Sequence, residues 1–292
     1  MSEVIVENQP YKSPIQPTKL SLSDTLQFRC HKNIACFNEC CKKIDILLTP
    51  YDILRLKKRL GLTSNALLSQ YTVPYEMDAQ GMPGVKIRTA DDNLACPFLS
   101  ETGCSIYEDR PSACRYYPLG LLSMRQQNST TDENAYFLVK EDHCLGHNEP
   151  RTLSIQDYRQ EQGVDLYDEM NHEWRQIILK KRSAGPAIGK PTLRSYQFFF
   201  LGSYNLDELR NFVLSQRFAA IYELADETLE QLKHDDVALL QFSFRLLRQV
   251  LFGEMTIPLR EEALQTRVQQ RREMEQVDPD NPNSDYQGPL VI

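Results

Sequence analysis

Four of the eight cysteines in this 292-residue sequence fall within twelve residues, in the stretch Cys30-His-Lys-Asn-Ile-Ala-Cys36-Phe-Asn-Glu-Cys40-Cys41. A second set follows at Cys96, Cys104 and Cys114, then Cys144, and no cysteine occurs beyond it. A thiolate is a soft ligand, and thiols crowded on irregular segments are the usual signature of zinc or of an iron–sulfur cluster. Cys30, Cys36, Cys40, Cys41, Cys96, Cys104, Cys114 and Cys144 are therefore all candidate metal ligands. A lone cysteine is better read as a small buried hydrophobe. Clustering at this density weighs against that reading, because softness and proximity point the same way.

Spacing sets what each thiol could reach. Cys36 and Cys40 lie four apart, so one helical turn would place them on one face, within reach of one ion. Cys40 and Cys41 are adjacent and diverge in regular structure; they serve one site only across a turn, or else two neighbouring sites. Cys96, Cys104 and Cys114 fall on separate loops and elements, so a metal would tie the first cluster to the second. Neither the Cys-x2-Cys hooks of zinc knuckles nor the Cys-x2-Cys-x2-Cys run of bacterial ferredoxins is present, so spacing leaves the metal open.

Other side chains near the cysteines have two readings each. His31, His143 and His147 could replace a thiol as ligand, or be ordinary polar loop residues. Arg110 and Arg115 flank Cys114; they would offset thiolate charge, or pair with Glu108 and Asp109. Tyr107, Tyr116, Tyr117 and Phe98 would shield a cluster from water or simply pack a core.

The elements that must position these groups follow from local signals. Residues 1 to about 20 carry three prolines and read as an extended arm. Thr49-Pro50-Tyr51-Asp52 opens a helix with cap, proline and acidic third residue in place, and Gly61 stops it. Thr63 caps a second helix. Val85–Arg88 alternates like a strand, and Pro111 opens a short helix that carries Cys114. Ala135–Val139 reads as a strand after the polar loop from Gln126. Ser154 with Asp157 starts a helix ending near Gly163, and 165–182 continues as another. Residues 183–191 hold two glycines and two prolines and are the best linker candidate. Beyond them the chain is mostly helical, with 3.6-residue periodicity over 222–232 and 237–252. Asn205 caps one of these helices, and Asp235-Asp236 marks another helix start. A charged helix opens at Pro258, where Arg260, Arg267, Arg271 and Arg272 interleave with Glu261, Glu262, Glu273 and Glu275; a solvated mixed-charge face explains it best. Asp91-Asp92 marks a turn, and 277–292 is a disordered tail by composition.

Composition bounds the rest. Hydrophobic content of 41% and aromatic content of 9% are those of a folded globular chain. A net charge of −7 argues against nucleic acid as a bulk electrostatic partner. No run of about eighteen apolar residues predicts a membrane span. The first residues lack the basic start and apolar run of a signal peptide, so a cytoplasmic setting is expected, in which eight cysteines point to metal before disulfides. No Gly-x-Gly-x-x-Gly fingerprint, Walker loop or Gly-x-Ser-x-Gly elbow is present.

The blocks Phe28-Arg-Cys30…Cys36-Phe-Asn-Glu-Cys40-Cys41 and Cys96-Pro-Phe-Leu99…Gly103-Cys104-Ser-Ile-Tyr107-Glu-Asp-Arg110-Pro111-Ser-Ala-Cys114-Arg115-Tyr-Tyr-Pro118 resemble the YkgJ-like cysteine-cluster family, labelled CxxCxxCC. Leu48-Thr49-Pro50-Tyr51-Asp52 is similar to the helix start that follows the cluster there, and Cys144-Leu-Gly146 to its closing cysteine. The opening is looser than the family's Cys-x2-Cys-Gly-x-Cys-Cys, with five residues between Cys30 and Cys36 and three between Cys36 and Cys40. The resemblance implies a chelated zinc or iron–sulfur centre. It reaches, more distantly, to bacterial flagellin lysine methylases, which would make a metal-dependent protein lysine methyltransferase-like enzyme the alternative.

The expectation is an α+β fold: an irregular metal-stapled cysteine-cluster domain over 23–183 behind a flexible arm (1–22), then a mainly α-helical region over 192–276. The function expected is metal chelation through clustered thiolates, structural or redox in role. Eight thiolates exceed what one tetrahedral zinc uses, which favours an iron–sulfur cluster over zinc. The late helices are the candidate surface for a protein partner, alone or as a scaffold with a structural zinc; no membrane contact is expected.

Overall fold

The protein, in a computed structural model, is described over residues 13–42, 44–89, 94–125, 132–183, 192–266 and 269. Residues 184–191 of the expected linker, the tail, Asp91-Asp92, Arg267, Arg271, Arg272, Glu273 and Glu275 lie outside these residues. The architecture is mixed α+β, with short strands in the first half and helices mainly in the second.

The first half begins with β1 (Thr25–Gln27) and β2 (Leu47–Leu48), followed by α1 (Pro50–Leu60) and α2 (Ser64–Tyr71). Thr49 caps α1 in a reciprocal capping box with Asp52, and Gly61 closes it at φ 63°, the left-handed conformation that glycine adopts without penalty. Thr63 caps α2. Next come β3 (Thr72–Glu76) and β4 (Pro83–Ile87), which join β2 in an antiparallel sheet of order β2-β4-β3. The hairpin β5 (Leu99–Ser100) and β6 (Gly103–Cys104) pairs Leu99 with Cys104. The short helix α3 (Ser112–Tyr116) carries Cys114, as predicted.

β7 (Leu119–Arg125) and β8 (Asp132–Leu138) form the longest hairpin. The described part of the N-terminal arm is bonded along it: Gln16 N donates to Leu138 O (2.8 Å) and Leu20 N to Tyr136 O (2.8 Å). β9 (Thr152–Ser154) pairs antiparallel with β1. The segment expected as one helix over 165–182 is two, α5 (Val164–Met170) and α6 (His172–Ser183), after α4 (Ile155–Gln162). The break sits at Asn171, whose side chain accepts from Tyr51 N (3.1 Å) and donates to Tyr167 O (2.8 Å). Asparagine competes with the helical ladder in this way.

The second half is α7 (Leu193–Tyr204), α8 (Leu206–Val213), α9 (Gln216–Ile221), α10 (Asp226–His234) and α11 (Asp236–Phe252). The periodic stretch 222–232 is not one helix: Tyr222–Ala225 is extended and Tyr222 bridges Leu259. α7 and α11 approach closely at Gly202, where a Cβ would sit 3.1 Å from the Leu247 side chain.

Two apolar cores result. The larger joins Leu54, Leu56 and Tyr51 of α1 and Trp174 of α6 to Phe199 of α7 and Leu240, Phe244 and Leu247 of α11. The smaller is built from Leu26, Phe28, Tyr116, Leu119, Tyr136, Ile155, Tyr158 and Val164. Among the described residues no helix is long and apolar enough to cross a membrane.

Candidate metal centre

The first cysteine cluster does not form the helical turn its spacing suggested. It is a run of three-residue turns, with Phe37 N bonded to Ile34 O (2.9 Å) and Glu39 N to Cys36 O (3.0 Å), ending in a 3-10 turn over Glu39–Cys41. Asn38 enters that turn at φ 72°. Such tight turns rotate side chains differently from an α-helix, so the i, i+4 argument for Cys36 and Cys40 does not apply.

This run packs against the second cysteine segment. Cys96 N donates to Cys41 O (2.9 Å), and Asn38 Nδ2 to Ser100 O (3.4 Å). Gly103, at φ 117°, faces Phe37: a Cβ there would lie 3.1 Å from Phe37 Cζ. The third segment closes from the other side. Leu145 N donates to Cys36 Sγ (3.2 Å), and Arg29 N to Gly146 O (3.0 Å). Gly146 is required by this contact, since a Cβ would fall 2.6 Å from Phe28 Cε2 and 3.0 Å from Arg29 O.

Cys114 is positioned from a distance. Asp52 is fully buried, and its carboxylate accepts from Thr49 N, from Ser112 N and from Ser112 Oγ, each at 2.8 Å. One side chain therefore caps α1 and fastens the first residue of α3, two residues before Cys114. Burial pushes the Asp52 carboxyl up against the four hydrogen bonds that favour its ionised form.

All eight thiols are free, and their fields overlap. Burial pushes Cys30 up to about 11, helped by Cys40, Cys36 and Cys144. Burial also raises Cys96, Cys104, Cys114 and Cys144, each with other thiols adding to the rise. The Cys41 thiol, hydrogen-bonded to Cys40, pushes Cys40 down to about 7, and Cys41 is raised in turn.

Fixed donors work against the cost of burial. The amides of Phe98 and Leu99 favour a thiolate at Cys96, that of Ile106 at Cys104, and that of Gly146 at Cys144. The Arg110 guanidinium does the same for Cys104. The Tyr117 hydroxyl, buried and without a partner at bonding distance, faces Cys144 and Glu141; burial and the Cys144 thiolate push it up. Donors aimed at sulfur are the outer shell that metal thiolates use. Among the described residues, no three His, Cys, Asp or Glu side chains are already gathered into a group that could hold an ion. The donor set fits a thiolate-bound metal.

The remaining candidates resolve individually. His31 pairs with Glu149 (3.3 Å), His143 with Glu141 (3.7 Å), and His147 Nε2 meets Val139 O (3.2 Å). Arg115 is buried on the carbonyls of Glu108, Arg110 and Gln162, not on a carboxylate. Asp109 pairs instead with Arg55 (2.5 Å). Tyr116 and Phe98 belong to the cores, whereas Tyr107 is exposed and stacks with Arg110. Sequence reasoning missed the second role of Asp52, because its partner lies sixty residues away and no local pattern marks it.

Residues 29–161 match the model of the CxxCxxCC family, described as a "putative zinc- or iron-chelating domain". No curated protein and no solved structure matches the chain.

Proposed function

We propose that residues 29–161 form a metal-chelating domain whose clustered cysteine thiolates hold an iron–sulfur cluster or zinc, in a structural or redox role. One observation carries the reading. Eight free thiols on segments that the fold packs together, the outermost more than a hundred residues apart, lie within one another's fields, with backbone amides and the Arg110 guanidinium favouring thiolates among them. Left without a cation, such a group is costly, since burial and mutual repulsion keep the thiols protonated. A bound metal ion reverses that balance and takes the thiolates as ligands. Bound there, the metal would crosslink three loop segments and so supply folding free energy; an iron–sulfur cluster would add one-electron chemistry. The number of thiols favours iron–sulfur over one zinc. A reducing cytoplasmic setting suits eight unpaired cysteines.

Metal analysis and visible absorption of the anaerobically purified protein test this. Iron with acid-labile sulfide and a broad brown absorption is the expected result, and colourless protein carrying zinc identifies the other metal. Protein that carries neither and takes up neither overturns the reading.

A further inference from the structure

We propose that His147 is an acid-sensitive latch: its neutral ring holds the turn after Cys144 against β1, and taking up a proton releases that turn. The inference rests on the packing of the ring and is independent of the chelating reading above.

The latched segment is the 3-10 turn Leu145–Asn148. The stretch 27–36 holds it by hydrogen bonds at successive residues. Gln27 Nε2 donates to His147 O (3.2 Å), Arg29 N to Gly146 O (3.0 Å) and Leu145 N to Cys36 Sγ (3.2 Å). Gly146 also lies so close to Phe28 that a Cβ would fall 2.6 Å from its ring. A His147 ring that leaves its place pulls on all of these contacts, since they lie on the same short turn.

The surroundings of the ring suit one protonation state. Nε2 meets Val139 O at 3.2 Å, and a carbonyl only accepts, so the proton sits on Nε2. Nδ1 then carries a bare lone pair, and it is buried with no partner among the described residues. The Phe28 ring, 5.2 Å away between centroids, covers the imidazole and offers no acceptor. A proton on Nδ1 would add a charge and a buried N–H that makes no bond, which is costly. The Gln27 carbonyl favours such a proton, but makes no bond to the ring and acts on it least.

The charged and titratable groups around the ring do not relieve this. Lys140, next to Val139, adds a second positive charge. Gln27 and Phe28 of β1 are uncharged. Behind Phe28 stand Tyr117 and Tyr158, both raised by burial and neutral in acid. Glu149, just past the turn, is paired with His31 (3.3 Å), and protonation of His31 strengthens that pair. Burial, with Lys140 adding to it, therefore holds His147 below its ordinary value of 6.5, although the Val139 and Gln27 carbonyls pull the other way. Released, the ring takes its proton near 6.5; latched, it does so only in stronger acid. The latch is whole above that value and weakens as pH falls from there to the folded one. Its opening constant grows about tenfold for each unit by which the latched ring lies below the released one.

The test uses the full chain as purified, beside His147→Gln, which keeps a donor for the Val139 carbonyl and takes up no proton. Exchange of the imidazole C2 hydrogen, followed by mass spectrometry, reads the titration of each histidine. Amide exchange of peptides spanning 27–30 and 144–148, corrected for intrinsic rate, reads opening. The expected result is a His147 that titrates below 6.5, with opening that rises from about pH 7.5 to about pH 5 and rises less in the variant. Thiol protonation and any loss of metal in acid are common to both chains, so the difference between them belongs to the ring. A His147 that titrates at or above 6.5, or equal rises in the two chains, overturns the latch. Should the variant fail to fold, the wild type decides alone: its titration and its opening must agree at about tenfold per unit, and disagreement overturns the latch.

Discussion

Each thiol is governed by what its sulfur faces within a few ångströms. Burial raises most of the eight, and an amide or cation placed at the sulfur lowers the cost of the thiolate that a metal requires. Tyr117 shows the principle with a side chain. Its buried hydroxyl faces Cys144 and Glu141, and its proton, turned toward the sulfur, favours a thiolate there. Tyr117→Phe keeps the ring and removes only that donor. Outer-shell partners of metal ligands are worth about 10- to 100-fold in affinity. The variant should therefore bind zinc about 10-fold more weakly or worse, as read by competition with a chelator of known affinity. Its melting temperature without metal should stay near that of the wild type.

Elements decide where the thiols can be. α1 is held at its start by the Thr49–Asp52 box and passes that order to α3 through the same carboxylate. The later helices are tied together by ion pairs as well as apolar contact. Glu254, just past α11, pairs with Lys180 of α6 (2.6 Å) and with Arg248 (2.7 Å). Partial burial works against ionisation of Glu254, but the two cations outweigh it and hold the carboxyl below its ordinary value of 4.5. A carboxyl depressed in the folded chain gives up its proton more readily there than when unfolded. Its pairs then stabilise the fold fully above the unfolded value and lose that contribution as pH falls through the folded one. Thermal melts should show wild-type stability dropping as pH is lowered below about 4.5, while Glu254→Gln, less stable at neutral pH, shows a shallower drop. Equal slopes for the two would remove this pair from the account.

Across the whole molecule, the cysteine-bearing half and the helical half share one core. Leu54 and Leu56 of α1 lie in the same apolar cluster as Phe199 of α7 and Leu247 of α11, although the sequence suggested a linker between the halves. Burying apolar area in common couples the two energetically. Leu247 is fully buried and packed against Gly202, so Leu247→Ala should cost about 2–5 kcal/mol. Because the core is common, loss of helical circular dichroism and release of metal should fall on one transition, shifted down together. Helix loss with metal retained would show instead that the cysteine half stands without its partner.

The capping signals at Thr49, Gly61, Thr63, Ser154 and Asn205 were legible in the sequence because they act within one helical turn. The likeness to a chelating-domain family was legible too, since the cysteine blocks that carry it are matters of residue type and spacing. What the sequence misjudged depends on partners far along the chain. Asn171 splits a predicted helix because Tyr51 reaches it, and Cys36 and Cys40 leave the helical register in a run of tight turns. The shared core and the second task of Asp52 are of the same kind. Local pattern fixes what a residue can do. Which cysteine-bearing segments pack together is set by contacts between stretches up to about a hundred residues apart, and only tertiary folding brings those together.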